Sequence, residues 1–446
     1  MKTARAVRVG TTGANSRFVS GTSNTRSSVA ASNILQQFTQ SPPPPRKSLA
    51  APLAKLPFSS VLRSLLVLSV SSSPILLKPC IYTLSHLAHP RSAFWDVSKN
   101  PLLNFLVKHT IYKQFNAGEN KVEVQDSIRN IKQLGCRGVL LGYAREVLVG
   151  ENQDAARDEK AAMAEIQMWF DGTMRTVDMA QQGDFVALKF TGMGTDALRL
   201  LQKEADPTEF MDSSILKVCD LAISRGVRLL VDAEEQAVQP GYLRSTPATL
   251  ARHLETARQE GYTLGVKLVR GAYMKTEPRH LIWAKKEDTD RCYDEVVEAL
   301  LTRKYNSMLQ APTKDTPAEL PSLDVIIATH NRDSVRKAHA IRMEQAVRGE
   351  DYDVDLSYAQ LQGMADEVSC ELLEGFENAE NSVGASPVAA PNVFKLLTWG
   401  SVQECMGFLL RRAIENTEAV GRTKDSQVAM FAELKRRCRN AFARSN

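Results

Sequence analysis

The first 95 residues contain no aspartate or glutamate, although they hold eleven lysines and arginines. Of 56 basic and 51 acidic residues in the whole chain, 45 and 51 therefore fall after residue 95. The net charge of +5 belongs to the N-terminal stretch, and the mildly acidic body argues against nucleic acid as the main partner. Spacing of the C-x-x-C type is missing too. Cysteines 80, 136, 219, 292, 370, 405 and 438 are scattered, so neither a disulfide framework nor a zinc site is expected and a reducing compartment fits. No apolar run approaches the ~20 residues of a spanning helix. The longest, "LLVLSVSSSPILL", is broken by serines and Pro74, and no transmembrane segment is expected. There is no H-x-H or H-E-x-x-H pair, and "TGMG" lacks the full dinucleotide glycine fingerprint.

What is present is a chain of 446 residues, 43% hydrophobic, long enough to bury a large core. Its opening forty residues are rich in Arg and Ser and lack the apolar centre of a secretory signal. They read as a mitochondrial presequence, with a disordered basic tail as the alternative. "SPPPPRK" marks a stiff boundary. The expected division is a presequence and Pro-rich linker over 1–45, an N-terminal helical region over 46–130, and a (β/α) barrel over 131–446.

The body alternates short apolar runs with longer helical patterns, the signature of β/α units around a parallel sheet. Strands are expected at 138–144, 185–190, 227–233, 265–271, 324–330, 359–365 and 393–399, seven in all. Between them lie helical stretches such as "PATLARHLETARQEGY" and "TDRCYDEVVEALLTRKY", the second opened by a threonine cap at Thr289. The fold class is α/β, a (β/α) barrel, with a doubly wound open sheet as the alternative. Loops are expected at 311–322 and at 377–392, the latter long enough for a lid. The basic, amphipathic "AMFAELKRRCRNAFARSN" reads either as a closing helix or as a segment touching an anionic membrane.

Polar residues cluster at the expected strand ends: Lys189, Asp232 with Glu234, Arg270 to Tyr273, and His330 with Asn331. In a barrel those ends converge on one mouth. Each also has an ordinary structural reading, as a solvated strand end, a helix cap or a satisfied core histidine. Arg411 and Arg412 sit side by side in "LLRRAIEN", one helical turn from Glu415. The spacing fits either a surface ion pair or a carboxylate clamp oriented by Glu415.

"LLVDAEEQ", "GVKLVRGAYM", "IATHNRDSV", "QLQGMADEVS" and "FLLRRAIENTEAVGR", in this order, resemble the proline dehydrogenases, mitochondrial flavoenzymes, and most closely their fungal members. The resemblance runs from about residue 55 to the end. It implies a distorted (β/α)8 barrel that holds FAD without covalent attachment and oxidises L-proline to Δ1-pyrroline-5-carboxylate. Hydride would pass from proline C5 to flavin N5, and electrons to ubiquinone at the inner mitochondrial membrane. It makes Arg411 and Arg412 the grip on the proline carboxylate. Lys189 and Asp232 become active-site residues and Trp399 the wall of the proline ring. Lys267, Val269, Gly271 and Ala272 would adjoin the flavin ring, Lys286 and Thr289 its phosphate and adenosine parts, and His330 and Asn331 its flank. A backbone approaching a planar ring favours glycine at 271.

The chain departs from the family pattern twice. Phe408 stands where a tyrosine is common. Between Gly241 and Tyr242 about two dozen residues and one barrel strand are expected to be missing. Two further readings follow: an inactive or unstable variant of the flavoenzyme, or a metal-dependent barrel hydrolase or aldolase using Asp232, Glu234 and His330.

Overall fold

The computed structural model describes residues 52–145, 159–232, 246–271, 278–350, 353–380, 390–418 and 420–444. Helices α1 (Phe58–Ser71), α2 (Pro74–Ala88) and α3 (Pro101–Val107) come first, followed by α4 (Lys121–Gln133). Strand and helix then alternate. The order is β1 (Gly138–Tyr143), α5 (Glu159–Met179), β2 (Phe185–Leu188), α6 (Thr195–Gln202), α7 (Glu209–Arg225), β3 (Arg228–Val231), α8 (Thr246–Glu260) and β4 (Leu264–Val269). It continues through α9 (Lys286–Thr302), β5 (Leu323–Ala328), α10 (Arg332–Arg348), β6 (Val354–Leu361), α11 (Asp366–Glu380), β7 (Asn392–Trp399), α12 (Val402–Glu418) and α13 (Val420–Arg444).

The seven described strands form one parallel sheet in the order β3-β2-β1-β7-β6-β5-β4. Six of the expected strands lie within two residues of their observed starts. The sixth does not: 359–365 was expected and Val354–Leu361 is observed. "QGMA" turns instead of extending, because Gly363 and Ala365 adopt φ of +71° and +49°, which no strand accommodates. Nor does Thr289 open α9, which begins at Lys286 after Lys285.

Alternation of side chains sets two faces. Leu140, Phe185, Ile326, Ala359 and Phe394 are buried together inside the curled sheet, with Leu230, Ala328 and Leu396 packed against them. Their chain neighbours face the helices: Val139 and Leu141 with α4, and Val186 and Leu188 with α5 and α7. A parallel strand covered on both faces is expected to be apolar throughout, and "GVLL" at the start of β1 is buried at every position.

The sheet does not close by a backbone ladder among the described residues, since β3 and β4 end it. Their outer residues are open to water, Val231 at 55% and Val269 at 44%. Side chains span the interval instead. At the N-terminal rim, the Arg228 guanidinium stacks 3.8 Å over the Phe185 ring and donates to Asp324 and Asp355, at 3.1 and 3.4 Å, from the starts of β5 and β6. The junction of Gly241 and Tyr242 lies outside the described residues.

Candidate active site

The arginine-bearing helix α12 lies across the C-terminal strand ends. Cys405, Met406, Phe408 and Leu409 share a buried cluster with Ala144, which follows β1, and with Leu361 and Met364, which end and follow β6. Its start is built by a capping box readable in "SVQE". The Glu404 carboxylate accepts from the Ser401 N–H at 2.7 Å, and Ser401 Oγ accepts from the Glu404 N–H at 3.3 Å. Tyr143 Oη, at the end of β1, donates to Glu404 at 2.5 Å and so ties the sheet to the helix. Burial pushes the Glu404 carboxyl up, but the hydrogen bonds from Tyr143 and Ser401 outweigh it and hold the group below its ordinary range. Burial raises the Tyr143 phenol, and Glu404 adds to that effect. Strand-by-strand reading misses this tie.

On α12, Arg412 donates to Glu415 at 2.5 Å and its guanidinium lies 5.1 Å from the Phe408 ring centre. With phenylalanine at 408 the face that meets Arg412 is apolar, and the cation rests on the ring's negative π-face. Arg411 and Arg412 are both half-buried on this helix.

At the mouth, Lys189 follows β2, and its carbonyl accepts from the Trp169 indole at 2.9 Å. Its ammonium acts electrostatically on Cys405 of α12, whose thiol is raised chiefly by burial, with Glu404 and Glu119 adding to the rise. Asp232 continues the β3 ladder by one step, its N–H donating to Leu188 O at 2.9 Å. Lys267 is paired in register with Ile326 of the interior cluster, which places it on the inner face. Its ammonium donates to Asp232, and the two side chains are only 9% and 12% exposed. An aspartate already facing an ammonium is ill suited to ligating a metal ion, which weakens the hydrolase reading. Glu234 and Ala272 lie outside the described residues.

Arg270, just beyond β4, joins three elements: it pairs with Asp290 of α9, donates to Ser334 Oγ of α10 at 2.9 Å, and lies over the Tyr293 ring at 5.4 Å. Lys286 pairs with the same Asp290, one turn along the helix. Thr289 lies beside them in that first turn. His330 accepts from the Leu361 N–H at 3.2 Å, while Asn331 caps α10 by accepting from the Ser334 N–H at 3.0 Å. Gly271 has φ +71°, and beyond its chain neighbours no protein atom lies within 4 Å of the place a Cβ would occupy, so its backbone conformation is what demands glycine.

Trp399 requires a correction. It was expected to wall the proline ring, yet its register partner is the outward Tyr143 and its indole donates to Thr176 of α5 at 2.8 Å. The ring is packed with Leu397, Val139 and Ile128 on the outer face, because residues of one strand alternate and Leu396 and Thr398 take the inner positions.

The family description "Proline dehydrogenase" matches residues 237–425, a range that includes Lys267, His330, Arg411 and Arg412. The probable mitochondrial proline dehydrogenase of Schizosaccharomyces pombe is 24% identical over 85% of this chain and 88% of its own length. The hydroxyproline dehydrogenase of Rattus norvegicus is 25% identical over 74% of this chain and 82% of its own. Among solved structures, the proline utilization A protein of Bdellovibrio bacteriovorus, inactivated by N-propargylglycine, superposes with a TM-score of 0.59 at 15% identity. That likeness covers 87% of this chain and 41% of the other, and shows a shared fold. Taken with the motifs in sequence, these matches support a proline dehydrogenase.

Proposed function

We propose that this chain oxidises L-proline to Δ1-pyrroline-5-carboxylate, the first step of proline catabolism, in the mitochondrion, with FAD as cofactor and ubiquinone as final electron acceptor. What supports the reading is the buried Asp232–Lys267 pair at the ends of β3 and β4, together with an arginine-bearing α12 packed over the ends of β1 and β6, in a chain whose residues 237–425 match the proline dehydrogenase family model.

The residues present fit a flavin. Val269 and Gly271 are exposed at the C-terminal end of β4, a terminal strand of the sheet whose inner face carries a cation, Lys267, suited to an electron-rich ring edge. Lys267, Val269, Gly271 and Ala272 would hold the ring, Lys286 and Thr289 the phosphate and adenosine parts, and His330 and Asn331 the flank. When bound, FAD supplies the acceptor for the hydride that leaves proline C5. The chain's own work is positional. Arg411 and Arg412 fix the substrate carboxylate through paired hydrogen bonds, Glu415 restricts the Arg412 rotamer, and Phe408 gives that guanidinium an apolar floor. Lys189 and Asp232 set the charge balance beside the substrate amine, which must be neutral to give up hydride.

Anaerobic visible spectra of the full chain, before and after L-proline, test the reading. A flavin band that bleaches on proline addition supports it, and a flavin band indifferent to proline sinks it. Among the described residues no backbone ladder joins β3 to β4, which favours a second reading, a family member that folds without retaining flavin. A colourless, folded protein would select that one.

A further inference from the structure

Twenty large apolar side chains stand exposed among the described residues, and ten of them fall between Phe58 and Leu106. Helix α1 is apolar on two sides. Val61, Leu65 and Leu68 pack inward against Ala429 and Met430 of α13, while Phe58, Leu62 and Leu66 repeat every fourth residue on the outside. Helix α2 repeats the arrangement, with Leu84 and Leu87 inward and Ile75, Leu76 and Tyr82 outward, Ile75 at 83% exposure. A helix apolar all round needs a second apolar medium on its outer side.

The surroundings say which medium. A chain of rings runs from Tyr82 to His86, Trp95 and Phe94, with centroids 4.3, 5.7 and 5.3 Å apart, an arrangement of amphipathic rings suited to a headgroup layer. From residue 52 to 95 the charged side chains are Lys55, Arg63, Lys78 and Arg91, all basic. An acidic protein surface or an anionic lipid surface would both suit that sign, but stripes of Leu, Ile and Phe beside headgroup-type rings suit acyl chains. Among the described residues no single helix is long and apolar enough to cross a membrane, and α1 and α2 meet at a bend of 99°. The pair therefore has the shape to lie in an interface.

We infer that the outer face of α1 and α2, with the Tyr82 to Phe94 ring array, inserts into the surface of an anionic lipid bilayer. This deepens the functional reading above by giving the enzyme's membrane partner a specific seat, but the binding itself requires no catalysis. It assigns the seat to the N-terminal helices and not to the basic C-terminal helix α13.

The test is co-sedimentation of the full chain with phosphatidylcholine vesicles with and without 30% phosphatidylglycerol. The wild type should sediment with the anionic vesicles, and Leu62→Ser/Leu66→Ser/Ile75→Ser should bind about tenfold more weakly. Phe431→Ser/Phe442→Ser on α13 should bind as the wild type does. A wild type left in the supernatant, a triple variant that sediments unchanged, or loss confined to the α13 variant would each overturn the inference. So would a triple variant that turns a lipid-free dimer into a monomer on gel filtration, since a second copy would then own the face. Should the triple variant misfold by circular dichroism, Lys78→Glu/Arg91→Glu, both exposed, decides the matter: it must abolish the preference for anionic vesicles. Proline-dependent dye reduction in detergent is read on the same proteins. Its absence in a wild type that still sediments would sink the catalytic reading and leave the lipid seat standing.

Discussion

Lys267 in β4 donates to Asp232, the residue that directly follows β3, so one ion pair joins the two strands that end the sheet. Both groups are well buried, and each is the other's counter-charge in a site where an uncompensated charge is costly.

Removing either partner should therefore destabilise the fold, and removing both should cost less than the two losses added together. Asp232→Asn and Lys267→Met are each expected to lower unfolding free energy by about 3 kcal/mol, and Asp232→Asn/Lys267→Met by less than the sum. Urea unfolding of the four proteins reads the coupling directly. Additive losses would mean that the pair does not hold the edges together.

Changing the arginines of α12 tests substrate grip separately. Arg411→Met and Arg412→Met should raise KM for L-proline about a hundredfold while leaving the flavin spectrum unchanged, because each loses a charged two-point contact. Glu415→Gln should raise KM only several-fold, since it removes an orienting partner. Equal effects on proline and on a decarboxylated analogue such as pyrrolidine would show that the carboxylate is not what they hold.

At the opposite rim, Arg228 reaches the acid groups of β5 and β6 from the terminal strand β3. Arg228→Met should lower Tm by a few degrees, and the loss should shrink in Asp324→Asn, where the counter-charge is gone as well. Burial raises the Asp324 carboxyl, with Arg228 opposing that shift. A melting temperature insensitive to Arg228 would leave the joining of the sheet's two ends to the Lys267–Asp232 pair and to packing.

Stability should also fall in mild acid through His339, whose ring is buried against Tyr358 and whose pKa is held down to about 4 by burial. The folded state disfavours the proton that the unfolded chain takes up near 6.5, so stability present above pH 6.5 is lost progressively toward pH 4. Urea midpoints at pH 7.5 and 5.0 should differ less in His339→Leu than in the wild type. Parallel slopes in the two proteins would assign the acid sensitivity elsewhere.

Local pattern alone carries six strand positions and the one-turn spacing of Arg412 and Glu415. The capping box at Ser401–Glu404 is written in the same short range, as an S-x-x-E spacing ahead of an apolar run. These depend on residues within a turn or a strand of one another, where propensity and periodicity act directly. Local pattern misplaces the sixth strand because "QLQGMA" alternates like a strand until Gly363 and Ala365 take positive φ. Trp399 is put at the mouth because resemblance names a residue without giving the face of its strand.

The sequence by itself determined an acid-free N-terminal stretch, the positions of six of the seven strands, and the polar residues that follow them. Only the tertiary structure decided that Lys267 answers Asp232, that Arg228 answers Asp324 96 residues away, and that α12 lies over the ends of β1 and β6. It also decided which apolar residues of α1 and α2 face outward. Charge pairing and burial act through space at a few ångströms, and which side chains come within that range is fixed by how the sheet curls, a property of the whole chain's packing that no short window of residues contains.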